Sequence, residues 1–320
     1  NTYKTVARDA MGYGISYFNG EYKPIYSASP LPWNEVIPAA AGTGKDLFNG
    51  NIRATTAQIA QLGGAKTYSY SYDQLNRIVK MRKHETSYVP GGSVDPYLNI
   101  LAATDEYKED ITYDANGNIL TYLRNGTASQ VSMDDLTYQY PKDAGGKILN
   151  NRLRYVQDPV PDNYYAEDIN SQTSLNRTQV LAERLPEQAT DNYIYDKIGN
   201  LIKDKKEDIT KIEWTVYGKI SKITKNDAAS TTIEYEYDAS GNRIYKKVTT
   251  SGAGAASKYT FYVRDASGNT MAVYTRTDLA AVLCSEQHLY GSSRLGMYLP
   301  NMAVPARARR PPAGIVLADG

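Results

Sequence analysis

The sequence has little of what disulfide frameworks, metal sites and deep aromatic cores require. One cysteine, Cys284, stands among 320 residues, so a disulfide framework is excluded. His84 and His288 are the only histidines and lie far apart in the chain, without a second histidine nearby to complete a metal set. Phenylalanine occurs 3 times and tryptophan twice, against 29 tyrosines. Because tyrosine packs its ring while keeping its hydroxyl hydrated or hydrogen-bonded, this balance predicts a thin sheet with little deep core.

Charge bias and long apolar runs are also missing. The 36 Lys and Arg residues nearly balance 35 Asp and Glu residues, which leaves a formal net charge of +1. Charge therefore gives no reason to expect nucleic acid or a membrane surface as a partner. No apolar run approaches the roughly 18 residues of a membrane-spanning helix. The N-terminus shows no charged region followed by an apolar stretch, so no signal peptide is visible.

What the sequence has instead is a short pattern that recurs. Tyr-Asp, two further residues, glycine and asparagine occupy residues 113–118, 195–200 and 237–242. Weaker copies lie at 72–78 and 263–269, and a worn copy lies at 216–220. Asp114 follows Asp73 by 41 residues, Asp196 follows Asp114 by 82, and Asp238 follows Asp196 by 42. The period of about 21 residues is typical of a repeat architecture.

Each copy predicts a β-hairpin. Residues 232–237 alternate β-branched or aromatic with polar side chains, which favours a strand with one buried face. The aspartate then opens a tight turn by accepting a backbone N–H, and the glycine supplies a positive φ. The turn residues predicted in this way, together with a related segment near the end of the chain, are Tyr72, Asp73, Tyr113, Asp114, Gly117, Tyr195, Asp196, Gly199, Tyr237, Asp238, Gly241, Asp265, Gly268, Tyr290, Gly291 and Arg294.

The repeated pattern resembles the YD repeat of Rhs proteins, which teneurins and toxin-complex shells also contain. Residues 47–52, 212–214 with 218–220, 262–269 and 288–296 are similar to the Rhs cores of Bacteroidetes-type bacteria. The resemblance covers residues 1–300 and implies an all-β fold, an antiparallel ribbon of hairpins that curls into a partial shell or spiral. Loop insertions are expected near 27–46, 84–105 and 166–190, the last with two helical turns over residues 178–185. Residues 301–320 lack periodicity and are expected to be a disordered or frame-shifted tail.

The resemblance also implies a function without catalysis. It identifies the chain as a wall segment of an Rhs-type polymorphic toxin or secreted cell-surface protein of bacteria, enclosing a C-terminal toxin domain that is missing from this chain. A rival hypothesis is a binding module for carbohydrate or cell-surface ligands, in which exposed tyrosines stack on sugar rings. No cofactor, metal or nucleic acid is expected. Strand edges left bare at the first and last hairpins predict self-association.

Motifs that would indicate an enzyme fail at defined positions. Gly44-Lys45 suggests a phosphate loop, but Asp46 stands where Ser or Thr is needed. Residues 114–118 begin like a calcium loop, yet the glycine that must follow Asn118 is missing and Asn125 stands where the glutamate is required. The adjacent pair Asp134-Asp135 points to opposite faces of a strand. Two Asp-Pro dipeptides, at 95–96 and 158–159, lack the glycine pattern of the cleavage motif that the family uses.

Overall fold

The computed structural model describes residues 10–21, 33–34, 37, 42–89, 97–161, 165, 169–184, 186, 191–252 and 254–304. Over these ranges the chain forms 21 β-strands and one α-helix. It divides into two compact units, Asn1–Asp191 and Asn192–Gly320, called unit 1 and unit 2 below. Strands of each unit pair with their neighbours almost entirely in antiparallel fashion, so the predicted all-β hairpin fold is confirmed.

Unit 1 contains one ten-stranded sheet and the helix. Its elements are β1 (Met11–Ser16), β2 (Trp33–Asn34), β3 (Ala54–Ile59), a short 3-10 turn (Ala60–Leu62), β4 (Lys66–Tyr72), β5 (Ile78–Val89), β6 (Tyr97–Ala103), β7 (Glu109–Tyr113), β8 (Ile119–Asn125), β9 (Ser132–Gln139), β10 (Tyr155–Gln157) and α1 (Arg177–Ala182). The strand order is β1-β3-β4-β5-β7-β8-β9-β10, with β6 beside β5 and β2 parallel to β6.

Unit 2 is a meander in which almost every strand pairs with the next one along the chain. Its strands are β11 (Tyr193–Tyr195), β12 (Leu201–Asp204), β13 (Ile209–Trp214), β14 (Ile220–Lys225), β15 (Thr232–Tyr237), β16 (Arg243–Thr250), β17 (Ala256–Arg264), β18 (Thr270–Thr277), β19 (Leu283–Tyr290), β20 (Arg294–Tyr298) and β21 (Met302–Ala303). Both β20 and β21 pair with β19. Among the described residues of unit 2, no helix or second sheet accompanies this one.

The two faces of the unit 2 sheet differ in chemistry. Direct cross-strand partners share a face, because side chains alternate along each strand. One face carries an aliphatic row of successive partners from β13 to β16, namely Ile212, Ile223, Ile233 and Val248. The opposite face carries a charged row from the same strands, namely Glu213, Lys222, Glu234 and Lys247. Glu234 forms ion pairs with Lys222 at 3.2 Å and with Lys247 at 3.7 Å.

Unit 1 has a deeper core, where β9, β10 and α1 meet. Leu136, Val156 and Val180 are buried there. Helix α1 starts with a capping box, in which Asn176 accepts from the Gln179 backbone N–H and the Gln179 side chain accepts from that of Asn176. The helix predicted over residues 178–185 is therefore present, shifted to Arg177–Ala182.

A buried ion cluster lies beside this core. The Arg154 guanidinium is 1% exposed and donates three hydrogen bonds of 2.7–3.0 Å to the Asp191 carboxylate. It also pairs with Glu183 at 3.1 Å, and Glu183 accepts the hydroxyl of Tyr155. The cluster ties β10 to the segment that follows α1. Nothing in the residue pattern identified it, because its members lie far apart in the sequence.

Two predicted boundaries need correction. Residues 84–105 were expected to be a loop, but β5 extends to Val89 and β6 occupies Tyr97–Ala103. Thr86, Tyr88 and Val89 are β-branched or aromatic residues that favour continuation of the strand, and residues 90–96 lie outside the described residues. The tail expected at residues 301–320 contains β21 near its start, and residues 305–320 lie outside the described residues. Most of the loop predicted at 27–46 also lies outside them. A single repeat domain over residues 1–300 stays a prediction.

Candidate functional site: the row of hairpin turns

Each strong copy of the repeat forms the same five-residue turn, called a repeat turn below. In residues 238–242, the Asp238 N–H donates to the Asn242 carbonyl at 3.0 Å and the Gly241 N–H donates to the Asp238 carbonyl at 3.0 Å. The carboxylate closes the turn from inside. Its Oδ1 accepts the N–H groups of Ser240 at 2.9 Å and Asn242 at 2.8 Å, and its Oδ2 accepts the Asn242 side-chain amide at 3.1 Å.

The arrangement recurs with little variation. Asp114, Asp196 and Asp265 each make the same three carboxylate contacts, with an asparagine four residues later as the side-chain donor. In the first copy Arg77 replaces that asparagine and donates Nε to Asp73 at 2.6 Å. Gly117, Gly199, Gly241 and Gly268 all have φ between 81° and 97°. The pattern in the sequence thus encodes one closed hydrogen-bonded turn.

These hydrogen bonds favour the ionised aspartate. The backbone N–H of Asn242 lowers the pKa of Asp238, and the side-chain amide of Asn269 lowers the pKa of Asp265. Desolvation acts against the charged forms of Asp73 and Asp196, but the donors of the turn outweigh it and lower both pKa values. The turns of Asp73, Asp196, Asp238 and Asp265 are therefore held by carboxylates whose lowered pKa values favour the charged form.

The worn copy and one further segment form the same turn with altered residues. In residues 215–219, Thr215 stands in the aspartate position, and its hydroxyl oxygen accepts the Lys219 N–H at 3.1 Å. Residues 143–147 also close in this way, with the Asp143 N–H donating to the Lys147 carbonyl at 2.9 Å. Sequence reasoning did not count this turn as a repeat because Lys142, instead of an aromatic residue, precedes its aspartate.

The residue immediately before a turn, called the pre-turn residue, connects neighbouring hairpins in six places. The Tyr237 hydroxyl donates to the carbonyl of Ile220, the first residue after the preceding turn, at 2.8 Å. Tyr113 reaches Ile78 in the same way at 2.9 Å. The same link recurs as Tyr72 to Ile52, Trp214 to Leu201, Arg264 to Arg243 and Tyr290 to Thr270, at 2.7–3.0 Å.

This link explains why tyrosine so far outnumbers phenylalanine at these positions. The donor differs between a phenol hydroxyl, the Trp214 indole N–H and the Arg264 guanidinium, yet the acceptor is always the equivalent carbonyl. Phenylalanine could pack there but could not donate. Burial raises the pKa of Tyr72 and Tyr113, so their hydroxyls keep the proton that they donate.

Successive turns also touch one another along the sheet edge. The Arg77 guanidinium donates to the Asp114 carbonyl of the next turn at 3.0 Å and lies 4.5 Å from the Tyr113 ring centre. In unit 2, a Cβ on Gly268 would lie 3.1 Å from the Asn242 side chain of the preceding turn. The repeat turns at 73–77 and 114–118 in unit 1, and those at 238–242 and 265–269 in unit 2, therefore lie side by side in a row, and the glycine of the unit 2 pair allows their close approach.

The predicted site residues divide into two groups in the structure. Those of the five Tyr-Asp or Arg-Asp copies lie within the row or directly before it. In the last hairpin, only Tyr290 takes the common role, because Gly291 belongs to a tighter turn in which its N–H donates to the Ser293 carbonyl at 2.9 Å. Arg294 begins β20 and is exposed, with its guanidinium 3.9 Å from the Met297 sulfur.

A cleft of about 810 Å³ opens between two repeat turns of unit 2. Its walls are the turn at 215–219 and the strand and turn at 235–241. Tyr217 projects at its mouth with 87% of its surface exposed, and Lys219, Glu236 and Ser240 supply polar groups. An aromatic ring beside polar side chains can hold a ligand that has both an apolar face and hydroxyl groups.

His84 and Cys284 occupy structural positions. His84 is buried, with Nε2 2.6 Å from the Ser69 hydroxyl and Nδ1 3.0 Å from the Leu101 carbonyl, and burial lowers its pKa. The Ser69 hydroxyl in turn contacts that of Thr43 at 2.5 Å. Cys284 lies half-buried in β19. Over the described part of the chain, no group of three or more His, Cys, Asp or Glu side chains could hold a metal ion, and no helix is suited to cross a membrane.

Comparisons with known proteins give distant structural matches. No family model and no curated protein matches the chain. It is similar to the crystal structures of TcdB2-TccC3-TEV, TcdB2-TccC3-Cdc42 and TcdB2-TccC3, at 11%, 14% and 10% identity and TM-scores of 0.24, 0.25 and 0.24. Each match covers 75% of this chain but only 15%, 14% and 17% of the other, so the chain spans less than a fifth of their length. Likenesses of this strength do not establish a shared role.

Proposed function

We propose that the chain is a non-enzymatic wall segment of an Rhs-type toxin or secreted cell-surface protein of bacteria. In this role it is part of a β-sheet wall that keeps a C-terminal toxin polypeptide sequestered until delivery. The single observation that carries the proposal is the row of repeat turns. Six hairpins are linked to the one before them by a pre-turn donor, and successive strands pair, so the sheet grows sideways by addition of equivalent units.

The two faces of unit 2 support a role as a wall. Most domains bury an apolar sheet face against a second layer, and none accompanies the described residues of this sheet. The aliphatic row on one face and the charged row on the other give the sheet two chemically different sides. In the proposed wall, the charged row faces solvent and the aliphatic row faces the enclosed polypeptide.

The proposal is tested by the coding sequence that follows the codon for Gly320. A downstream frame should continue into further repeat hairpins and then into an unrelated domain. That domain should be toxic when expressed alone, and much less toxic when expressed with the repeat region. A stop codon with no related sequence after it would remove containment as the function of this product, as would equal toxicity in the two forms.

A second candidate function, saccharide binding, is favoured by the cleft beside Tyr217. An exposed aromatic ring with hydroxyl and charged groups beside it is suited to stacking on a sugar ring and to hydrogen bonding with its hydroxyls. Most repeat turns carry a small or aliphatic residue where this turn carries tyrosine, so the feature belongs to one place in the row.

A glycan array followed by calorimetry tests this candidate. Saturable binding should be lost in Tyr217→Ala and largely kept in Tyr217→Phe, which retains the ring. Leu279→Ala is the matched control, because Leu279 is also almost fully exposed but lies outside the cleft. Absence of binding across the array, or binding that Tyr217→Ala leaves unchanged, would reject the candidate.

A further inference from the structure

One ring nitrogen of His288 in β19 is held by a carboxylate, and the other has no partner. Nε2 lies 3.1 Å from the carboxylate of Glu286, two residues earlier on the same face of the strand. Because an ionised carboxylate only accepts hydrogen bonds, Nε2 carries the proton and Nδ1 presents its lone pair. Nδ1 is buried on a side chain that is 8% exposed, and no group among the described residues bonds to it. Such a buried acceptor is costly unless something binds it.

Methionines lie on both sides of this imidazole. In β20, Met297 is the direct cross-strand partner of His288. In β18, Ala272 pairs with Gln287, and continuing that register by one residue brings Met271 opposite His288. Direct partners share a sheet face with Cβ atoms about 4.5–5.5 Å apart, which is within reach of a methionine side chain. Met271, His288 and Met297 therefore form one row across three neighbouring strands, called the Met-His-Met row below.

The row can be reached from solvent through its two methionines. Met271 is 40% exposed and Met297 is 43% exposed. The row lies on a face of the sheet, so a further strand paired with β20 would extend the sheet without covering it. One other group contacts a sulfur of the row, since the exposed Arg294 guanidinium lies 3.9 Å from Met297 Sδ. That contact is weak, because a thioether sulfur is a poor hydrogen-bond acceptor.

The donor atoms of the row favour a soft metal ion. Thioether sulfurs select copper(I), and imidazole also suits copper. Calcium and magnesium take oxygen ligands, which the row does not supply. The Glu286 carboxylate on the second ring nitrogen is the usual companion of a metal-bound histidine, because it fixes the tautomer and orients the ring.

We propose that the Met-His-Met row binds one copper(I) ion through His288 Nδ1 and the sulfurs of Met271 and Met297. Glu286 acts as a positioning residue that holds the imidazole in the tautomer that binds a metal. The site uses the face of three paired strands, so it does not depend on a bare strand edge. It is also independent of the proposed containment function.

Competition with a chromophoric copper(I) chelator, in the presence of ascorbate, measures binding to the full chain. A Cys284→Ser background removes the one thiol, which could bind copper(I) by itself. The chain should bind one ion, and His288→Gln should abolish binding. Met271→Leu and Met297→Leu should each weaken it, because leucine keeps the volume but not the sulfur. Met11→Leu, at a 57% exposed methionine of unit 1, is the matched control and should bind like the parent chain.

Glu286→Ala separates a metal site from a packing role of the same residues. It should weaken copper(I) binding by about tenfold to a hundredfold, while circular dichroism shows an unchanged strand content. Arg294→Gln should bind copper(I) at least as tightly as the parent chain, because it removes a positive charge beside the Met297 sulfur.

X-ray absorption spectroscopy of the copper(I)-loaded chain identifies the ligands directly. Two sulfur atoms and one nitrogen atom should surround the ion, and either leucine variant should lose one sulfur. Absence of copper(I) binding by the folded parent chain would overturn the inference. So would binding that His288→Gln or the two leucine variants leave unchanged, or a coordination shell without sulfur.

Discussion

Replacing Tyr237 by phenylalanine tests the link between neighbouring hairpins. The change removes the hydroxyl that donates to the Ile220 carbonyl at 2.8 Å and leaves the ring in place, so the apolar contacts of the ring are kept. A hydrogen bond of this kind contributes about 0.5–1.5 kcal/mol net. Tyr237→Phe should therefore lower the free energy of unfolding of unit 2 by about 1 kcal/mol.

Urea denaturation followed by Trp214 fluorescence measures this loss, because Trp214 is the pre-turn residue of the neighbouring hairpin. A Trp33→Phe background removes the other tryptophan. With a denaturant slope of about 1–3 kcal/mol per molar, the midpoint should fall by about 0.3–1 M.

Two further variants sharpen the test. Tyr217→Phe removes a hydroxyl from a tyrosine that is 87% exposed and should change stability by less than about 0.5 kcal/mol. Tyr290→Phe removes an equivalent link two hairpins away, and its effect should add to that of Tyr237→Phe because the two share no partner. Equal stability of the Tyr237→Phe and Tyr217→Phe variants would refute the reasoning.

Three other perturbations have expected outcomes that the same denaturation experiments can check. Gly199→Ala should lower the free energy of unfolding by about 1–2 kcal/mol, because Gly199 has a φ of +97°, which strains a residue that has a Cβ even though the added Cβ touches no other atom. Gly64→Ala, at a position without a positive φ, should cost less. Arg154→Met should cost about 3–5 kcal/mol by removing the guanidinium that pairs with the buried Asp191 carboxylate, and Asp191→Leu in addition should restore part of the loss. Burial lowers the pKa of His84, so the imidazole binds a proton more readily in the unfolded chain than in the folded one. The contribution of neutral His84 to the stability of unit 1 should therefore be fully present above about pH 6.5 and should decrease as the pH falls below that value. His84→Gln should make the stability of unit 1 less dependent on pH in this range.

The repeat turns could be predicted from the sequence because their information is local. An aspartate, a glycine that needs positive φ and an asparagine lie within five residues, and the structure forms the expected closed turn around Asp114, Asp196 and Asp238. Strand pairing between successive hairpins follows from the same pattern, since sequential strands tend to be neighbours.

The role of the pre-turn residue could not be predicted in the same way. A tyrosine in a strand is explained by packing alone, and its hydroxyl acquires a partner only once the neighbouring hairpin is in register. A signal was nevertheless present, because Trp214 and Arg264 stand where other copies have tyrosine, and the property that all three share is a donor at the end of a long side chain. The Arg154 cluster left no such signal, since charged residues far apart in sequence are ordinarily solvated.

Protease protection in the product of the complete gene tests the central claim, that the hairpin sheet walls off a polypeptide, most directly. The C-terminal domain should resist limited proteolysis while the repeat region is intact. The domain should become sensitive to the protease when the sheet is opened. Either a charge in the aliphatic row, as in Ile233→Asp, or removal of the pre-turn donors should open it. A C-terminal domain that is digested as fast in the intact product as in isolation would contradict the account.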